Sequence, residues 1–246
     1  MKIIISPAKK MNINTDFEFS STPYFIDKAE CLLNYLKGLN YTVAKSIWKC
    51  NDSIAEKCYK NLKDVNLHAR LTPALLAYEG IQYQYMAPGV FENDHWDYIK
   101  DHLCILSGFY GLLKPLDGII PYRLEMQAAV KLPEYKDLYD FWGDSLYKKL
   151  YEDTDVVINL ASKEYSKCIE NFLTDKEQFI NCIFGEYKDG KIITKGTIAK
   201  MARGEMVRFM TENKIEDINE MKQFNRMGFH YNEKISDNKN LFYIKE

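Results

Sequence analysis

The chain is poor in the residues that build metal clusters and disulfide frameworks. Its six cysteines (Cys31, Cys50, Cys58, Cys104, Cys168, Cys182) are scattered over 246 residues with no C-x-x-C pair. The start, MKIIISPAKK, offers an apolar run of about five residues before its lysines, too short for a secretory signal. Reduced, mostly buried thiols in a cytoplasmic protein are therefore expected. The four histidines (His68, His95, His102, His230) show no H-x-x-x-H or H-E-x-x-H spacing, so no dedicated zinc site is expected. No run of about eighteen apolar residues is present, which excludes a membrane-spanning helix.

Arginine is scarce as well. Arg70, Arg123, Arg203, Arg208 and Arg226 stand among 33 basic residues, and 35 acidic ones bring the net charge to −2 with a pI near 6.1. An obligate DNA binder usually carries a strongly basic domain. A chain that otherwise uses lysine keeps arginine where a planar, forked donor matters. Three of the five lie in segments singled out below.

What is present is ordinary for a globular protein: 46% apolar and 28% charged residues. No linker, repeat or low-complexity stretch divides the chain, so one domain over residues 1–246 is expected. KIIIS (2–6), LCILSG (103–108) and DVVINLAS (155–162) read as buried strands. Helices are expected over 24–39, after Thr42, after Asn51 as an N-cap, over 72–80 with Gly80 at its end, and over 92–102. Further helices follow at 137–153, at 162–173 capped by Ser162, at 197–214 and near DINEMKQF. QFINCIFGEYKDGKIITKG (178–196) reads as a hairpin turning at Asp189-Gly190, and GFHYNEKISDNKNLFYIKE as a final one. The fold class is α/β (α+β): a single compact domain with a mixed β-sheet, surrounding helices and late β-hairpins.

Three strands end alike, in ISPAK, LSGFYG and NLASKEY. Parallel strands in one sheet would bring Ser6, Lys9, Ser107, Asn159, Ser162 and Glu164 to one edge, where open α/β sheets bind ligands. The plainer reading is that small polar residues end strands and cap helices. LSGFYGLLKPLDGIIPYRLEM (106–126) then carries Gly108, Gly111, Pro115, Gly118 and Pro121 in a strongly apolar run. Such backbone suits a rigid loop over the same edge, aiming Tyr122, Arg123 and Glu125. Arg123 fits a phosphate or carboxylate, or else an ion pair with Glu125.

In TIAKMARGEMVRFM, Lys200 and Arg203 share a helix face, Met206, Phe209 and Met210 point to the core, and Arg208 follows. Gly204 beside an arginine marks either a ligand near the backbone or a tight helix contact. Glu125, Asp144 and Glu164 are candidate acids, bases or cation ligands should they meet. LCILSGFYGLL also bears a weak likeness to a helix-hairpin-helix turn offering N–H groups to a DNA phosphate.

The ordered set ISPAK (5–9), LSGFYGLLKPLD (106–117), PYRLEM (121–126), FWGD (141–144), VINLAS-x-EY (157–165), AKMARG (199–204) and the FNRMGFHY tail resembles the YaaA peroxide-stress family along nearly the whole chain. The resemblance implies a cytosolic bacterial protein with a family-specific α/β fold. It implies protection from peroxide by limiting free iron, and duplex DNA binding through a basic cleft. The family pattern reads KKARG where this chain has Met201 after Lys200.

Two functions stand side by side. A DNA-binding stress protein would use Lys9, Arg123, Lys200, Arg203 and Arg208 on phosphates without base readout. An enzyme on a nucleotide or phosphorylated small molecule would use Ser6, Tyr122, Asn159 and Ser162 in a pocket, with Glu125, Asp144 and Glu164 as acids or bases. Direct iron sequestration has the least support, since no cluster with ligand spacing is visible. No cofactor, resident metal or membrane partner is expected.

Overall fold

Ile3, Ile4 and Ile5 have no exposed surface at all, which a strand allows only when both faces of its sheet are covered. In the computed structural model, which describes residues 1–13 and 16–245, this run is the central strand. Burying each such side chain contributes about 1.5–3 kcal/mol, so the middle of the sheet anchors the core.

In chain order, β1 (Lys2–Ile5) and β2 (Lys10–Met11) lead to α1 (Ile26–Lys37), α2 (Tyr41–Trp48) and α3 (Asp52–Leu62). Next come β3 (Thr72–Pro73), α4 (Ala74–Ala77), β4 (Tyr78–Glu79), α5 (Ile81–Met86) and α6 (Asn93–His102). The strands β5 (Leu103–Ser107), β6 (Gly111–Leu113) and β7 (Gly118–Ile119) precede α7 (Leu138–Trp142) and α8 (Ser145–Leu150). Then follow β8 (Val156–Leu160), α9 (Lys163–Glu170), β9 (Gln178–Lys188), β10 (Lys191–Ile193) and α10 (Gly196–Glu212). The tail holds α11 (Ile218–Met221), β11 (Phe229–Tyr231) and β12 (Asn240–Lys245).

The main sheet has eight strands in the order β11-β12-β9-β8-β1-β5-β6, with β10 paired to β9. β12, β9, β8, β1 and β5 run parallel; β11, β6 and β10 are antiparallel. The expected mixed α/β fold is what forms. Both late hairpins are present, the first turning through Asp189 (φ 50) and Gly190 (φ 74). Glu246, the last residue of the second hairpin segment, lies outside the described residues. No helix among the described residues is long and apolar enough to cross a membrane.

Two expected helices come out differently. Residues 72–80 form one helical turn between two short strands: Thr72-Pro73 pairs with β7, and Tyr78-Glu79 pairs with β2. Gly80 stands at the start of α5 rather than at the end of a helix. These strand pairings take the backbone groups that a longer helix would have used. Residues 137–153 break into α7 and α8 at Gly143, whose φ of 50 no helix continues through.

Candidate functional site

The strand order reverses at β1: the chain moves from β1 to β5 on one side, then crosses to β8 and outward to β9 and β12. In open α/β sheets the crevice outside the carboxyl ends at such a reversal is where ligands bind. Ser6 follows β1 and Ser162 follows β8, and the structure joins them. Ser162 N donates to Ser6 Oγ at 2.8 Å, and Ser6 Oγ donates to Ser162 Oγ at 3.2 Å. Ser162 does start α9, but its hydroxyl makes no capping bond. Its carbonyl accepts from Tyr165 and Ser166 N, both at 2.9 Å. The cap side chain is diverted into the site. Tyr83, from α5, donates its hydroxyl to the Ser6 carbonyl at 2.9 Å.

Asn159 is present at this edge but committed. Its Oδ1 accepts from Ala161 N at 2.9 Å, and its Nδ2 donates to Asn181 Oδ1 at 2.8 Å. Asn181 donates on to Asn240 Oδ1 at 3.3 Å, and Asn240 reaches the carboxylate of Asp237 at 3.1 Å. The three asparagines are register partners on β8, β9 and β12. They form a directed amide ladder that ties β8, β9 and β12 side by side.

The glycine-rich stretch is a strand, a turn and a strand: β5 and β6 pair antiparallel, with Ser107 opposite Gly111. No helix enters it, so the helix-hairpin-helix likeness is overturned. Its N–H groups are turned inward: Phe109 N and Tyr110 N donate to Ser107 Oγ at 3.1 and 2.9 Å. A Cβ on Gly108 would sit 2.7 Å from Leu124 O and 2.9 Å from Met126 N. Gly108 therefore lets residues 124–126 pass directly over the end of β5. Trp142 Nε1 locks that crossing by donating to Gly108 O at 3.1 Å. Tyr122, held by the same loop, has its hydroxyl 2.6 Å from Ser107 Oγ and 2.8 Å from the Tyr78 hydroxyl.

Charges of both signs gather here. Lys9 Nζ and Glu125 Oε1 are 2.8 Å apart, with the lysine side chain 61% exposed and the glutamate 19%. Glu164 Oε1 accepts from Gln127 N at 3.2 Å. Burial, helped by the nearby Glu125 charge, pushes the Glu164 carboxyl above its ordinary range, with Lys9 acting against it. Arg123 makes no pair with Glu125; its Nε donates to Trp48 O at 3.2 Å. Asp144 pairs with Lys148 at 2.7 Å, at the head of α8. Among the described residues no three His, Cys, Asp or Glu side chains gather as a metal site, so Glu125, Asp144 and Glu164 do not converge as cation ligands.

On α10, Gly204 is a helix contact: a Cβ there would lie 2.2 Å from Gln82 O of α5. Gln82 is buried and donates to Leu160 O, the last carbonyl of β8, at 3.3 Å. Arg203, the residue before Gly204, lies beside Cys182 of β9, whose chain neighbour Asn181 is the register partner of Asn159. Its Nε is sealed from solvent without a partner, and no carboxylate pairs with it among the described residues. Burial lowers its pKa, while the neighbouring Cys182 thiol pulls the other way. Arg208 is spent on Glu212 at 2.7 Å, in a network with Arg226 and Glu205. Lys200 is exposed. Burial pushes the thiols of Cys104 up to about 11 and of Cys168 and Cys182 up to about 12, which makes them poor nucleophiles.

Sequence reasoning missed Tyr78, which fell in the short helix expected over 72–80, and Gln82 and Tyr83, in the stretch after it for which no element was expected. The density of tyrosine and glutamine in YEGIQYQYM was the available signal. Two surface hollows, one lined by Phe184, Gly185 and Lys195 and one by Phe17, Phe19 and Arg70, include none of the edge residues.

A family model described as peroxide stress protein YaaA matches residues 1–235. The chain belongs to the YaaA family. It is 56% identical over 246 residues to a UPF0246 protein of Lachnoclostridium phytofermentans, covering 100% of this chain and 96% of that one. It is 53% identical over 244 residues to one from Agathobacter rectalis, covering 98% of each. A third, from Desulfitobacterium hafniense, is 51% identical over 246 residues, covering 100% of this chain and 98% of that one. The YaaA motifs seen in the sequence thus fall on the strand ends, on the loop over them, at the α7–α8 break, on α10 and at β11.

Proposed function

We propose that this YaaA protein serves the peroxide-stress response in the cytoplasm through a compact anion-binding site at the reversal of its sheet. The ligand class is a nucleotide or another phosphorylated small molecule. The observation that carries the reading is Arg203: a guanidinium with a sealed, unpartnered Nε beside the carboxyl edge lacks a counter-charge, and a phosphate would supply one. The Ser162 hydroxyl, which accepts from Ser6 and makes no capping bond, adds a donor, and Lys9 keeps ammonium protons beyond the one turned to Glu125. Glu164, whose carboxyl burial raises above its ordinary range, is the acid or base for any proton transfer.

A duplex-gripping cleft needs free cations along a groove. Of the five proposed for it, Lys9 is paired, Arg123 is bonded to a backbone carbonyl, Arg203 is sealed at Nε and Arg208 is paired, which leaves Lys200, exposed on α10. One observation favours duplex binding elsewhere: exposed Lys188 and Lys191 face each other across the β9–β10 hairpin, an unfavourable pair that a polyanion would relieve. Limitation of iron-dependent damage would then act through the bound ligand, because the described side chains form no cluster for iron.

A thermal-shift panel of nucleotides and sugar phosphates on the purified protein, followed by calorimetry of the hits, tests the reading. Saturable binding that weakens in Arg203→Met and Lys9→Ala supports it. A panel without a single stabilising compound removes it.

A further inference from the structure

The hydroxyls of Ser107, Tyr122 and Tyr78 stand in a row, 2.6 and 2.8 Å apart. Ser107 Oγ already accepts from Phe109 N and Tyr110 N, which occupies both of its lone pairs. Its own proton therefore goes to the Tyr122 oxygen. The contact between Tyr122 and Tyr78 uses one of the two phenol protons, so one remains without an acceptor. Tyr78 is 3% exposed and packed against the Tyr83 ring at 5.3 Å, whereas Tyr122 keeps part of its surface open. A buried donor without an acceptor is disfavoured. The arrangement that avoids one has Tyr78 and Ser107 both donating to Tyr122, and the Tyr122 proton aimed out of the cluster.

The ring is held in that pose. Phe109 stacks on Tyr122 at 5.1 Å, Tyr110 meets it edge-on at 5.4 Å, and Tyr122 N donates to Met11 Sδ at 3.4 Å. Tyr83, against Tyr78, bonds the Ser6 carbonyl, so the row borders the Ser6–Ser162 junction. We infer that Tyr122 gives its hydroxyl proton as a hydrogen bond to an oxygen or ring-nitrogen acceptor of the ligand, with Ser107 and Tyr78 as positioning residues that fix its direction. This rests on the reading of the edge as a small-ligand site and adds to it a specificity element: an acceptor atom beyond the phosphate. Two donors on one phenol oxygen also strengthen the bond it gives onward.

Tyr110 provides the control. It belongs to the same aromatic cluster, but it is fully buried and its oxygen is occupied by Ile120 N at 3.2 Å. AMP and ribose 5-phosphate would be titrated calorimetrically into the wild type and into Tyr122→Phe, Tyr78→Phe and Tyr110→Phe, with a melting curve for each. Tyr122→Phe is expected to weaken AMP binding roughly tenfold, the loss of one hydrogen bond. Tyr78→Phe should weaken it roughly threefold through lost orientation, and it decides the matter if Tyr122→Phe does not fold. Tyr110→Phe should lower the melting temperature and leave affinity unchanged. Wild-type affinity in Tyr122→Phe, or an equal loss in Tyr110→Phe, overturns the hydroxyl assignment and leaves the small-ligand site standing. Absence of binding by both probes to the wild type overturns both.

Discussion

Ser162 donates its backbone N–H to Ser6 Oγ across 2.8 Å, joining the carboxyl ends of β8 and β1 where the strand order reverses. Two residues 156 positions apart in sequence thus close one polar junction at the centre of the sheet. Ser6→Ala removes the acceptor and strands a half-buried N–H. The expected loss is about 1–3 kcal/mol, read as a lower denaturation midpoint in urea.

Gly204→Ala sets two effects against each other. Alanine favours a helix interior by about 1 kcal/mol over glycine. Its Cβ would meet Gln82 O at 2.2 Å, a backbone atom that cannot step aside without moving α5. Overpacking wins, and a net destabilisation of roughly 2 kcal/mol is expected from urea unfolding. A stabilised variant would mean that the two helices do not cross this closely.

Glu164→Gln tests the buried carboxyl by its pH dependence. A folded-state pKa raised above the unfolded one means that ionisation opposes folding, so the native state is favoured at pH below the unfolded value. That advantage disappears as pH rises through the folded value. Glutamine keeps the acceptor for Gln127 N and carries no charge. The variant should therefore melt roughly 1–2 °C higher than wild type at pH 7.5, and the gap should close near pH 4. A gap that does not change with pH would remove the carboxyl from this role.

Arg203→Met should make the free protein more stable, by roughly 1–2 kcal/mol, because an uncompensated guanidinium leaves the helix–sheet interface. The same change should abolish stabilisation by added phosphorylated ligand. Opposite signs in the two melting experiments separate a functional arginine from a structural one, whose loss would destabilise the free protein.

Much of this was legible in the sequence because it depends on local pattern. KIIIS, LCILS and VVINL are continuous apolar runs closed by small polar residues, and such runs become strands buried on both faces. Asp189-Gly190 specifies its own turn. Long-range partners left no such mark. Nothing within PYRLEM says that Glu125 would choose Lys9 and Arg123 a carbonyl of α2, since both choices depend on how a loop crosses β5 at Gly108. Asn159 looked like a ligand contact, and only the register of β8, β9 and β12 reveals its commitment to Asn181. Tyr78 was hidden because the pairing of β4 with β2, not local propensity, breaks the helix expected over 72–80, and Tyr83 because only the packing of α5 brings its hydroxyl to the Ser6 carbonyl.

Whether the cations of the carboxyl edge serve a compact pocket or a duplex is decided by fluorescence anisotropy with a labelled DNA duplex. The titration would run from about 50 to 200 mM salt, with wild type and Arg203→Met in parallel. The compact site predicts weak duplex binding whose salt slope is the same in both proteins, because Arg203 does not touch the DNA. Micromolar binding whose slope falls by about one in Arg203→Met would place this arginine on a DNA phosphate and contradict the small-ligand site.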